Sequence, residues 1–172
     1  MSRLKIAVIG AGHLGKIHAK LLKTIDEVEL VAVSDPSEAA RHAVEVQFNI
    51  PTYADYRDML ELVDAVIVAA PTDLHAAIGC DVLHAKKHLF VEKPMTTTAE
   101  DAQRLVALAK NNHCTLQVGH VERFNPAWSA AEAVLEHPKY IEAVRSSSFP
   151  GRCLDVGVVM DLMIHDSTLS SR

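Results

Sequence analysis

The stretch Lys5-Ile-Ala-Val-Ile-Gly-Ala-Gly-His-Leu-Gly15 decides the fold. An apolar run of β type feeds directly into the pattern G-x-G-x-x-G, and a helical pattern follows at once. Gly10 allows a tight strand-to-helix turn, Gly12 lets the main chain approach a pyrophosphate, and Gly15 lets the helix pack close to the strand. The helix N-terminus then offers free N–H groups to the anion. Val28-Glu-Leu-Val-Ala-Val-Ser-Asp35 reads as a second strand ending in a carboxylate, twenty residues beyond Gly15. That is about where dinucleotide-binding folds place the acid that holds the adenosine ribose. Asp35 also has a plainer reading, as the N-cap of a helix beginning at Pro36.

Outward from this unit the pattern alternates. Strands are expected over residues 3–9, 28–34, 51–53, 65–69, 88–91 and 115–118, with helices between them. The helix over 13–25 turns Leu14, Ile17, Leu21, Leu22 and Ile25 to one face; that over 73–85 turns Leu74, Ala77, Ile78, Val82 and Ala85 inward. Thr97-Thr-Ala-Glu100 has the spacing of a capping box, opening a helix through Lys110. Strands alternating with helices imply parallel βαβ units and a doubly wound sheet. This Rossmann-type domain is expected to span residues 1–122. Residues 123–172 predict helices over 125–136 and 156–169 and a strand over 140–149. One strand and two helices cannot build a core, so this segment reads as the truncated start of a second α+β domain.

Composition bounds the function. The 172 residues carry a net charge of −5, with 49% hydrophobic and 23% charged residues, as in an ordinary globular protein. An acidic balance argues against nucleic acid or an anionic membrane as partner. No apolar run approaches the ~20 residues that span a bilayer, and no secretory signal opens the chain, which predicts a cytoplasmic protein. Cys80, Cys114 and Cys153 are far apart and lack zinc-type spacing, so no metal site is expected. His13, His18, His84 and His88 form no ligand constellation and read as structural or exposed.

Three further places carry chemistry. Glu92-Lys93-Pro94 follows the fifth strand, where ligands of open α/β sheets bind. A lysine beside a nicotinamide can hydrogen-bond a substrate hydroxyl and take part in proton transfer; the alternative is a surface lysine before a turn proline. Ala70-Pro71-Thr72 and His75 follow the fourth strand, lining the cofactor or capping the next helix. Asp161 and His165 stand four residues apart in an otherwise apolar helix, hence on one face. They suit proton handling, or a surface pair of little consequence. Asp35 favours NAD, because NADP would set a 2′-phosphate against the carboxylate, and Arg41 is expected to lie too far along to compensate.

Taken together these motifs resemble the Gfo/Idh/MocA family of NAD(P)-dependent sugar and inositol oxidoreductases. Glu92-Lys-Pro94 is the most specific of them, and the resemblance spans the N-terminal half of a usual family member. It implies a catalytic trio of Lys93, Asp161 and His165. It also implies a cofactor set of Gly10, Gly12, His13, Leu14, Gly15, Asp35, Ala70, Pro71, Thr72, His75, Glu92 and Lys93. Gly119–Pro126 and Asp155–Asp166 are similar to a narrower branch, dehydrogenases that oxidise the 3-hydroxyl of UDP-N-acetylglucosamine. Arg123 and Asn125 would then lie near substrate, or else play a structural role. The resemblance implies a sugar or nucleotide-sugar substrate, no nucleic-acid or membrane partner, a homo-oligomer, and impaired turnover in a chain of this length. The rival expectations are a non-enzymatic NAD-sensing module that binds a partner, and a different Rossmann reductase.

Overall fold

The computed structural model describes residues 2–132, 134, 139–140, 142–144, 157 and 159–170. The chain divides into two units, residues 1–118 and 119–172.

The first unit is a doubly wound α/β domain. Its strands are β1 (Leu4–Ile9), β2 (Val28–Ser34), β3 (Thr52–Tyr53), β4 (Ala65–Val68), β5 (His88–Val91) and β6 (Leu116–Val118), and its helices are α1 (His13–Leu22), α2 (Glu38–Phe48), α3 (Thr72–His84) and α4 (Ala99–Asn111). The strands pair in the order β3-β2-β1-β4-β5-β6, all parallel. β-Branched and leucine-rich runs form these strands because both faces are covered, so neither face needs polar residues. Alternation along β1 sends Ile6 and Val8 to one face, where Ala19, Leu22, Val44 and Phe48 cover them. Ala7 and Ile9 go to the other, with Ile78, Val82, Leu83, Leu105 and Ala109.

Two helix faces differ from expectation, for one physical reason. On α1 the buried residues are Gly15, Ala19 and Leu22, whereas Leu14, Ile17 and Leu21 stand exposed. A Cβ on Gly15 would collide with the Gly10 carbonyl oxygen, so the helix lies almost against the loop that precedes it. Such close approach demands a small residue at the contact itself, while Leu22, expected on the same face as Leu14 and Leu21, is buried. On α3, Leu74 and Ala77 are likewise exposed, and His75, Ile78, Gly79, Val82 and Leu83 face inward. A Cβ on Gly79 would stand 3.0–3.2 Å from Leu105 and Leu89 methyls, which again marks a tight crossing.

The helix starts are set by local polar chemistry. Ser37, not Asp35, caps α2: its hydroxyl accepts from the Ala40 N–H at 3.3 Å. Thr98 caps α4, accepting from the Asp101 N–H at 3.1 Å and donating to that carboxylate at 2.8 Å, so the capping box is one residue later than expected. Residues 56–62 form a 3-10 helix.

In the second unit, a 3-10 turn over Val121–Phe124 precedes α5 (Pro126–Glu132), and a π-helical turn over Val159–Met163 runs into α6 (Ile164–Ser170). Asn125 caps α5, its Oδ1 accepting from the Ala127 N–H at 3.0 Å. Proline at the first helical position fits, since its missing N–H would have had no helical partner. The expected strand over 140–149 lies largely outside the described residues; Tyr140 and Glu142–Val144, which are described, are not in a strand. The end of the helix expected to reach 136 also lies outside them.

Candidate functional site

The strand order reverses between β1 and β4, since the chain builds outward on one side through β2 and β3 and on the other through β5 and β6. At such a switch point the loops leaving adjacent strands diverge, and a crevice opens beyond their carboxyl ends. Four segments meet along this edge: the glycine loop after β1, Asp35 after β2, Ala69–Thr72 after β4, and Glu92–Pro94 after β5. Backbone bonds lace them together, with Gly10 N–H to Ser34 O at 2.8 Å, Ala69 N–H to Ile9 O at 2.8 Å, and Glu92 N–H to Val68 O at 2.9 Å.

The three glycines are required for different reasons. Gly10 adopts φ +100°, and a Cβ there would lie 2.5 Å from the Ala69 carbonyl oxygen. Gly15 is excluded from carrying a side chain by Gly10 itself. Gly12 has φ −70°, open to any residue, and a Cβ on it would meet nothing within 4 Å. Nothing in the chain's own packing demands glycine at position 12, and the space a side chain would fill is open. The backbone of α1 begins its bonding with Lys16 N–H to Gly12 O at 3.1 Å, so the N–H groups of His13, Leu14 and Gly15 precede the first helical bond. An open cradle at a helix N-terminus fits the diphosphate of a dinucleotide.

Asp35 is braced into this loop. Its Oδ2 accepts from the Ala11 N–H at 2.8 Å and its Oδ1 from the Ser37 N–H at 2.8 Å. A carboxylate has about four acceptor sites, so two remain after these bonds for a ribose diol. Arg41 lies nearer than expected. Its Nη1 donates to the carbonyls of Asp35 and Pro36 at 2.8 and 3.0 Å, folding the guanidinium back over the end of β2.

On the other side of the switch point, Pro71 is exposed, Ala70 half-buried and Thr72 buried at the start of α3. His75 is only 1% exposed, with Nδ1 2.9 Å from the Pro94 carbonyl and Nε2 2.8 Å from the Ala70 carbonyl. Carbonyls only accept, so the one N–H of a neutral imidazole donates to one of the two, according to its tautomer. Glu92 is buried and its carboxylate lies 2.7 Å from Nε2 of His18 on α1. Lys93 is half-buried, flanked by buried Glu92 and Pro94, and the Lys93–Pro94 peptide is cis.

His18 is the residue that sequence reasoning missed. Its signal was available: it stands three residues after Gly15 and four before Leu22, on the inner face of α1. In the second unit, Asp161 lies in the π-helical turn and His165 in the first turn of α6, both half-buried. Asn125 has its amide committed, capping α5 and donating to Glu122 at 3.1 Å; Arg123 is half-buried in the turn before it.

Among the described residues no group of three His, Cys, Asp or Glu could hold a metal ion. Burial pushes the Cys80 thiol up, away from reactivity. Cys153 lies outside the described residues. No helix among the described residues is long and apolar enough to cross a membrane.

Comparison with known proteins agrees with this geometry. A family model described as an oxidoreductase family with an NAD-binding Rossmann fold matches residues 4–120. UDP-N-acetylglucosamine 3-dehydrogenase of Acidithiobacillus ferrooxidans is 36% identical over 171 residues, covering 99% of this chain and 54% of the relative. Its solved structure superposes with a TM-score of 0.90 at 35% identity, over 99% of this chain and 56% of that one. Myo-inositol 2-dehydrogenase of Thermotoga maritima is 30% identical over 175 residues, 95% of this chain and 52% of the relative. A scyllo-inositol dehydrogenase from Lactobacillus casei, solved with NAD(H) and scyllo-inositol, matches with a TM-score of 0.73 at 27% identity, over 77% of this chain and 41% of that one. The chain therefore spans about half the length of the curated relatives it matches. A glycine loop, an acid after β2 and a Glu-Lys-Pro turn after β5, on one parallel sheet and matched by the family model over most of the first unit, establish that this chain belongs to the Gfo/Idh/MocA oxidoreductase family.

Proposed function

We propose that this chain provides the dinucleotide half of a dehydrogenase that moves a hydride between a sugar or nucleotide-sugar hydroxyl and NAD, with the 3-hydroxyl of UDP-N-acetylglucosamine as the first substrate to test. The observation that carries the reading is the open backbone at Gly12, where a Cβ would meet nothing within 4 Å beside the free N–H groups at the start of α1. The dehydrogenase of that nucleotide sugar also matches through both units, including the segments that hold Arg123, Asp161 and His165.

In this reading the glycine loop and the N-terminus of α1 hold the diphosphate, Asp35 holds the adenosine ribose, and Ala70–Thr72 with Glu92 and Lys93 line the nicotinamide end. Bound NAD supplies the hydride acceptor. In its neutral amine form, Lys93 accepts a hydrogen bond from the substrate hydroxyl, and then its proton, as the substrate carbon gives up hydride and becomes a carbonyl. Asp161 and His165 are the further catalytic residues that the family resemblance implies, an imidazole suited to proton handling with a carboxylate to orient it. NAD is favoured over NADP because Asp35 would face a 2′-phosphate, while Arg41 already spends Nη1 on two carbonyls. The protein is expected to work in the cytoplasm as a homo-oligomer.

Calorimetric titration with NAD and NADP, followed by nicotinamide absorbance with UDP-N-acetylglucosamine or myo-inositol, tests the reading. Lys93→Met should leave NAD affinity within about threefold and lower turnover by roughly 10²–10⁴, the range of a lost acid–base group. Failure to bind either dinucleotide would overturn the proposal. NAD binding without any role for Lys93 would point to a sensing module instead.

A further inference from the structure

Lys93 stands between two residues that are each held by a histidine from a different helix. On one side, Oε1 of Glu92 lies 2.7 Å from Nε2 of His18, a ring set edge-on to Phe90 with centroids 5.4 Å apart. The second oxygen of the same carboxylate accepts the Lys93 N–H at 3.2 Å. On the other side, the carbonyl of Pro94 lies 2.9 Å from Nδ1 of His75, whose Nε2 reaches the Ala70 carbonyl at 2.8 Å. His18 belongs to the helix after the glycine loop, and His75 to the helix after the Ala70–Thr72 loop. Each ring thus sets a helix, α1 or α3, against the turn around Lys93.

We infer that His18 and His75, the latter with its proton on Nδ1, act as a paired clamp that fixes the backbone of Glu92-Lys93-Pro94 and, through it, the position of the Lys93 side-chain nitrogen. Both are positioning residues. This rests on the reading of Lys93 as the group that handles the substrate proton. An apolar ring would fill the same buried volume without the cost of desolvating a polar group. What imidazole adds is direction: carbonyls only accept, so a donated bond from Nδ1 sets where Pro94 can lie. Reaction geometry is sensitive on this scale, since a misplacement of ~1 Å can cost 10²-fold in rate.

The clamp makes an asymmetric prediction. Asparagine places its amide nitrogen near the position of Nδ1, and glutamine near that of Nε2. His75→Asn should preserve the bond to Pro94 and His75→Gln should lose it. At position 18 the order inverts, with His18→Gln preserving the bond to Glu92 and His18→Asn losing it. The readout is the 13C resonance of reductively dimethylated Lys93, assigned by its loss in Lys93→Arg and recorded without dinucleotide. The bond-preserving variants should keep that resonance at its position in the unsubstituted chain. The others should shift it onto the envelope of exposed lysines, with thermal melting confirming that each variant is folded. The two amides behaving alike at either position would overturn the clamp, as would a Lys93 signal that already lies in the exposed envelope. If a variant does not fold, amide exchange on the unsubstituted chain decides: the Lys93 N–H must be protected like those of β5, and loop-like exchange overturns the proposal. Because no step needs NAD, failure of dinucleotide binding and failure of the clamp are read separately.

Discussion

Of the three glycines in the first loop, two answer to the fold, and the third, Gly12, is the one assigned to a ligand in the proposed function. Gly10, at φ +100° and against the Ala69 carbonyl, cannot accept a methyl group without strain of ~1–2 kcal/mol plus the clash. Gly10→Ala should therefore lower the melting temperature by several degrees, at roughly 2–4 °C per kcal/mol for a chain of this size. Gly12→Ala should do the opposite. Its φ of −70° suits alanine and its surroundings are open, so melting should hold steady or rise slightly, because alanine loses less backbone entropy. NAD affinity should nevertheless fall at least ~10-fold, about the 1.4 kcal/mol that a displaced phosphate contact represents. Parallel melting and calorimetry on the two variants separate the roles; equal behaviour in both assays would remove the argument for a diphosphate at position 12. Asp35 belongs to the same scale: it braces the Ala11 N–H, and in the proposed function the same carboxylate holds the ribose.

At the scale of elements, the orientation of α1 is the finding with the sharpest consequence. Hydrophobic periodicity selects the large side chains, Leu14, Ile17 and Leu21, yet the face against the sheet is Gly15, Ala19 and Leu22. Leu21→Ala should change urea-derived stability by no more than ~0.5 kcal/mol, as at an exposed site. Ala19→Leu should cost about 1–3 kcal/mol by overpacking a position with no exposed surface. The reverse ranking would restore the face read from periodicity. The 3-10 segment over 56–62 makes a second, spectroscopic prediction. Tyr56 donates to Asp81 at 2.7 Å, and burial first, then this hydrogen bond and the Asp81 charge, push its phenol up to about 12. The protonated phenol is the form the fold favours. Its contribution is therefore complete below the unfolded value near 10 and is lost as pH rises from there towards 12. Ultraviolet titration should show one of the three tyrosines ionising late, and Asp81→Asn should bring it down.

At the scale of the whole molecule, apolar side chains stand exposed in both units: Leu14, Ile17, Leu21 and Ile25 in the first, and Val121, Phe124, Val159 and Met163 in the second. On α1, Leu14, Ile17 and Leu21 lie along one face, and a contiguous apolar stripe of that kind favours contact with another chain. Light scattering should show a mass that rises with protein concentration, and a single-chain mass at every concentration would count against self-association.

The sequence by itself determined the first unit. β1, β2 and β5 were legible as apolar runs, the glycine loop and Asp35 were marked by their places after β1 and β2, and Glu92-Lys-Pro94 by its place after β5. These features are local in the chain, so turn chemistry and strand pattern express them directly. Only the tertiary structure decided that Leu14, Ile17 and Leu21 of α1 and Leu74 of α3 stand exposed, that Ser37 and Thr98 rather than their neighbours are the caps, that Arg41 folds back over β2, and that His18 and His75 contact the residues beside Lys93. Those outcomes join residues far apart in sequence, as His18 and Glu92 are, and close packing of helix on sheet rewards small size and hydrogen-bond direction, which hydrophobic periodicity does not record.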